Sequence, residues 1–108
     1  MEWKNIIAIF RSEELERVER SLREIGVRGI TVTRVKGYGE YADLFSRNGL
    51  VPHTRIEVLN TGSKAEEIAR VIMDSAHSGI AGDGIVAILP VEKIYRIRSK
   101  KEVEPEEI

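Results

Sequence analysis

The chain contains no cysteine in its 108 residues, which excludes disulfides, thiolate-bound metals and thiol catalysis. Only two histidines are present, His53 and His77, and their spacing does not make a metal site. No apolar run approaches the roughly 20 residues that cross a bilayer, and Met1-Glu2-Trp3-Lys4 lacks the apolar stretch of a signal peptide. Neither sign of charge dominates. Seventeen basic and eighteen acidic residues leave −1, so no overall field attracts nucleic acid or an anionic membrane. Asp43, Glu57 and Asp83 are too scattered to pair, and no nucleophile stands in pattern with a base. The expectations that follow are a cytoplasmic protein with no enzymatic activity, no nucleic-acid partner and no membrane insertion.

What is present is an ordinary core. Apolar residues make up 42% of the chain and charged residues 32%, enough for one domain but not two. Asn5–Phe10 is a short apolar run and reads as a strand apolar on both faces. Ser12 is placed to cap a helix in which Leu15, Val18, Leu22 and Ile25 recur at helical spacing, and Gly26 suits its left-handed stop. Gly29–Lys36 is rich in β-branched residues, and Thr54–Leu59 alternates; both read as strands. Ser63-Lys64-Ala65-Glu66 matches a capping box ahead of a helix carrying Ala65, Ile68, Val71, Ile72 and Ala76. Ile85–Leu89 is a fourth strand that Pro90 is expected to end. Val91–Ser99 adds a short extended piece, and a charged, mobile tail is expected over 100–108.

The order β-α-β-β-α-β is the ferredoxin-like arrangement. It predicts an α+β fold with a four-stranded antiparallel sheet and two helices on one face. Ile6, Ala8 and Phe10 oppose Ile7 and Ile9 on the first strand, so the second face must also be covered. Sheet-to-sheet oligomerisation is the simplest way to cover it.

Three features carry chemistry. The segment 37–53 is longer than compact domains usually tolerate between elements, yet it holds Tyr38, Tyr41, Leu44 and Phe45, which suits docking to a partner. Gly79, Gly82 and Gly84 around Asp83 let backbone amides approach an anion. Arg96 and Arg98, alternating on an extended piece, would share a side and suit phosphate. Together the glycine turn and the arginines suggest a phosphorylated ligand.

Ile25–Gly39 resembles the segment leading into the T-loop of the PII nitrogen-regulatory proteins. Gly79-Ile80-Ala81-Gly82-Asp83-Gly84 resembles their B-loop, and Pro90-Val91-Glu92 with Tyr95-Arg96-Ile97-Arg98 resembles the stretch ending in their C-loop. The resemblance implies one domain over 1–99, with T-loop 37–53, B-loop 78–85 and C-loop 91–99. It implies a homotrimer binding ATP, ADP or AMP in clefts between subunits. Gly82, Asp83, Gly84, Arg96 and Arg98 would surround the phosphates, with Ile9, Thr31, Gly37, Val58 and Leu59 at the adenine. It further implies a signal-transduction regulator that controls a protein target, a membrane transporter or a nitrogen or carbon metabolic enzyme, through the T-loop.

The chain also departs from that pattern. Glu40-Tyr41 stands where the family has Arg-Gln, so the magnesium that bridges ATP and 2-oxoglutarate lacks a ligand. The lysine that pairs with 2-oxoglutarate falls on His53, the remaining candidate for an effector contact. Ile80 and Ile85 replace the lysines flanking the B-loop, which weakens ATP more than AMP or ADP. The alternative within the family is a sensor of AMP, bicarbonate or a metal that does not respond to 2-oxoglutarate. Outside it, an acylphosphatase would need more than Arg11, a copper-binding cousin more ligands, and an RNA-recognition module more aromatics than Phe10 supplies.

Overall fold

A computed structural model of the chain describes residues 2–37 and 51–105. Strand β1 runs over Trp3–Arg11, helix α1 over Leu15–Glu24, β2 over Thr31–Gly37 and β3 over Val51–Thr61. Helix α2 follows over Gly62–Ala76, then β4 over Gly84–Val91, and a small hairpin of β5 (Tyr95–Arg96) and β6 (Lys101–Glu102). The four long strands form one antiparallel sheet in the order β2-β3-β1-β4, the expected ferredoxin-like topology.

Alternation along β1 decides the layers. Ile6, Ala8 and Phe10 are buried together with Ile56 and Val58 of β3. Against them pack Val18 and Leu22 of α1 and Ala65, Ile68, Ile72 and Ala76 of α2, the stripe that helical spacing predicts. Each of the larger side chains contributes roughly 1.5–3 kcal/mol relative to exposure. The other face of the sheet carries Ile7 and Ile9 and leaves Leu59, Ile85 and Leu89 exposed. Both halves of the two-faced strand pattern therefore appear, one of them uncovered in the single chain.

Helix α1 ends as its sequence foretells. Gly26 takes φ +90°, its amide donates to the Arg23 carbonyl at 3.0 Å, and the Val27 amide reaches the Leu22 carbonyl at 3.0 Å. This is a Schellman closure, and Val27 and Leu22 are both in the core beside it.

The starts of the helices differ from expectation. Ser12 does not cap α1; it lies in a 3-10 turn, and its hydroxyl accepts from the Thr54 hydroxyl at 2.8 Å. Nor does the capping box form. Helix α2 begins two residues early because the Gly62 amide donates to the Glu2 carbonyl at 2.8 Å, which puts Thr61 at the N-cap and Ser63 inside the first turn. The Ser63 hydroxyl is 3.1 Å from that of Thr61 instead. Ser63→Ala is accordingly expected to shift stability by less than about 0.5 kcal/mol, well under the ~1 kcal/mol of a true cap, as read from urea midpoints.

Two further expectations are corrected. Pro90 does not end β4, because β4 is an edge strand and the missing N–H faces no neighbour in the sheet. The charged tail is structured at its start. Lys101–Glu102 pairs with Tyr95–Arg96, the Val103 amide donates to the Ile94 carbonyl at 2.8 Å, and Val103 is buried.

Candidate functional site

The turn between α2 and β4 is built around its own carboxylate. Asp83 accepts hydrogen bonds from the amides of Ser78 at 2.8 Å and Gly79 at 2.9 Å, and from the Ser78 hydroxyl. The Ile80 amide donates to that hydroxyl at 3.2 Å. Gly79 and Gly82 take φ +86° and +98°, the left-handed values that fold the turn back on itself. The anion cradled by the first amides of the nest is thus Asp83, an internal one, and a ligand must use the far side of the turn. Burial opposes ionisation of Asp83, but the hydroxyl and amide of Ser78, the Gly79 amide and the Arg11 guanidinium outweigh it. Its carboxyl is held well below the usual carboxylate range.

Arg11, at the end of β1, completes the turn. Its Nη1 donates to Asp83 and, at 3.2 Å, to the Ser78 hydroxyl; its Nη2 donates to the Ala81 carbonyl at 2.8 Å. From sequence alone Arg11 suggests only an acylphosphatase arginine, and this role is not visible there. The one available signal was a lone cation closing an apolar strand just before a helix. His77, expected at the end of α2, is its C-cap residue and stands 4.0 Å from Asp83 through Nδ1.

Beside this turn lies a hollow of about 240 Å³, whose walls include Ile9, Phe10, Ile72, Asp83, Gly84 and Ile85. A second hollow, of about 320 Å³, is lined by Gly29, Ile30, Thr31, Glu57 and Leu59. The structure therefore divides the predicted ligand residues into two groups. Ile9 and Gly84 belong to the first and Thr31 and Leu59 to the second, with Gly37 further along β2. Since β2 and β4 are opposite edges of the sheet, the single chain does not bring the groups together. Glu57 is the second residue that sequence reasoning missed. The hydrogen bond from Arg55 and then that from Asn5, at 3.2 Å, lower its pKa against the opposing effect of burial.

The remaining candidates fall unevenly. Val58 is fully buried, so its side chain is committed to the core. Arg96 lies on β5, but Arg98 lies in the turn that follows, closed by the Lys100 amide on the Arg96 carbonyl at 2.8 Å. The two arginines are therefore not alternating positions of one extended piece. His53 is 2% exposed, between Arg11 and Val35 in the sheet, and is enclosed instead of presented to solvent. Tyr38, Tyr41, Leu44 and Phe45 lie outside the described residues. Their stems do not: Gly37 and Val51 face each other across β2 and β3, so the connection begins and ends at one point.

The family model described as "Nitrogen regulatory protein P-II" matches residues 3–101. A nitrogen regulatory protein P-II of Azospirillum brasilense is 37% identical over 103 residues, covering 89% of this chain and 92% of the relative. The nitrogen regulatory protein P-II 2 of Methanothermobacter thermautotrophicus is 36% identical over 103 residues, covering 89% of this chain and 90% of its own length. Among solved structures, the Arabidopsis thaliana PII bound to citrate superposes with a TM-score of 0.82 at 29% identity, over 95% of this chain and 90% of that one.

Proposed function

The chain belongs to the nitrogen regulatory protein P-II family, and we propose that it is a signal-transduction regulator that binds adenine nucleotides between subunits of a homotrimer. The observation that carries the reading is the split site. A glycine turn held by Arg11 lies beside an apolar hollow at one sheet edge, and a hollow that includes Thr31 and Glu57 sits at the other. Each is half of a site, and rotation about a closed symmetry axis joins one edge to the other edge of a neighbour. Such an assembly also covers the exposed Leu59, Ile85 and Leu89.

Arg96 and Arg98 of the hairpin are the cations proposed for the phosphates, with Gly82, Asp83 and Gly84 shaping the turn. A small polyanionic effector agrees with the citrate named in the Arabidopsis structure. The 37–53 segment is the element proposed to engage a protein target, a transporter or a metabolic enzyme. A nucleotide that contacts one arrangement of its stems better than another shifts the population of docking-competent molecules. Among the described residues no helix is long and apolar enough to cross a membrane.

Ile80 and Ile85, both exposed beside the turn, favour the narrower reading of a sensor for AMP or ADP without a 2-oxoglutarate response. Isothermal calorimetry with AMP, ADP and ATP, each with and without magnesium and 2-oxoglutarate, tests both. Binding of AMP or ADP at least as tight as that of ATP is expected, with 2-oxoglutarate adding nothing. Absence of all nucleotide binding would refute the first reading, and strong magnesium-dependent 2-oxoglutarate binding the second.

A further inference from the structure

Arg11 is a half-buried cation placed at the mouth of a proposed phosphate site, and its contacts show a use beyond bracing the turn. An arginine has five N–H donors. Nη1 spends two on Asp83 and Ser78, and Nη2 spends one on Ala81. One Nη2 proton and the Nε proton take no acceptor among the described residues. The segment 77–85 contains no lysine or arginine of its own, and its one carboxylate is Asp83. Among the described residues, Arg11 is the only basic side chain tied to the turn, apart from His77 at 4.0 Å from the same carboxylate.

We infer that Arg11 and Asp83 act as a charge-setting pair, holding the turn near zero net charge and so determining how many phosphates it accepts. This rests on the nucleotide reading above. With the pair intact, a monophosphate meets backbone amides and the unused donors of Arg11, which suffice for one phosphate. A second or third phosphate finds no further cation in the turn and relies on Arg96 and Arg98 of the hairpin alone, so affinity climbs less with phosphate number than it would with an uncompensated cation in the turn. Asp83 is ionised throughout the working pH range, which makes the pairing a fixed property of the turn.

The pair makes opposite predictions for its two members. Asp83→Asn leaves the Arg11 charge uncompensated and is expected to raise the ratio of ATP to AMP affinity roughly three- to tenfold. Arg11→Gln leaves the carboxylate uncompensated and is expected to lower that ratio by a similar factor. Arg11→Lys keeps the charge and should hold the ratio within about twofold of the parent, even if all affinities fall with the lost fork. A residue that merely braces the turn behaves otherwise: both charge-altering variants then weaken every nucleotide alike and leave the ratio unmoved, which would overturn the inference. Where either variant fails to fold by circular dichroism, Ile80→Lys decides. It adds a cation at an exposed position without touching the pair. An ATP to AMP ratio raised three- to tenfold supports charge as the determinant, and an unchanged one refutes it. A parent protein that binds none of the nucleotides overturns the nucleotide reading and this inference with it.

Discussion

Replacing Gly84 with alanine is expected to unfold the protein or leave it insoluble, a loss of more than about 4 kcal/mol. Gly84 opens β4 at φ +117°, a conformation that side chains rarely adopt. The stronger objection is steric. A Cβ added there would lie 1.9 Å from the Ile9 carbonyl oxygen, 2.9 Å from its carbon and 3.0 Å from Phe10 Cα. All three are backbone atoms of the central strand, so no rotamer change relieves the clash. Gly84 is paired with Phe10 in the sheet, and Phe10 is among the largest buried side chains. Moving the backbone at this point therefore disturbs the core as well as the edge. Gly29→Ala is the matched control, since nothing lies within 4 Å of its added Cβ. Thermal and urea unfolding should show the control within about 1 kcal/mol of the parent and Gly84→Ala with no cooperative transition. A Gly84→Ala protein that unfolds like the parent would show that the approach of β4 to β1 is looser than described.

The second large effect lies at the other end of the chain. Val103→Asp is expected to destabilise the hairpin by on the order of 3 kcal/mol, because a carboxylate cannot be buried there without a partner. Val103 is 4% exposed, and its amide closes the hairpin onto Ile94. Since that hairpin carries Arg96 and Arg98, detaching it should also weaken nucleotide binding more than adenosine binding. Val103→Ile should leave both properties nearly unchanged. Far-UV circular dichroism with denaturant, followed by calorimetry on the folded fraction, separates the two losses. Parent-like behaviour of Val103→Asp would mean that the segment after Ser99 contributes nothing to the fold.

These two positions mark what the sequence could and could not reveal. The βαββαβ order and the one-sided helices were legible because the signals are periodic: Val18 and Leu22 at one helix, Ile6, Ala8 and Phe10 on one strand. Periodicity survives any particular tertiary detail. The Gly26 stop was legible too, since its hydrogen bonds are local. Signals that depend on a distant partner misled. Ser63 reads as a cap until Glu2 takes up the Gly62 amide and moves the helix start. Val103, surrounded by Lys101, Glu102 and Glu104, reads as tail because one apolar residue has no period.

The site was legible in the same uneven way. The Gly82-Asp83-Gly84 turn was visible as a motif, but the ligand of its first amides was not, because Asp83 turns inward through contacts with residues before it. Arg11 lies 72 positions from Asp83 and no local pattern joins them. Arg96 and Arg98 were visible as a pair, but the four-residue turn that separates their directions rests on a bond from Lys100. Glu57 read as one of several scattered acids until Arg55 and Asn5 were seen to hold it.

Pro90 has a consequence for what this sheet does among its own kind. A four-stranded sheet ends in two rows of unpaired amides and carbonyls, and such rows can template the addition of strand after strand into fibres. On β4 the register with β1 runs from Gly84 to Val91, opposite Phe10 to Trp3, and Pro90 sits one residue before its end. A foreign strand following the outer edge of β4 meets a position with no hydrogen to offer and a ring in its path. The proline expected to terminate the strand instead leaves the strand intact and makes its outer edge a poor template for polymerisation.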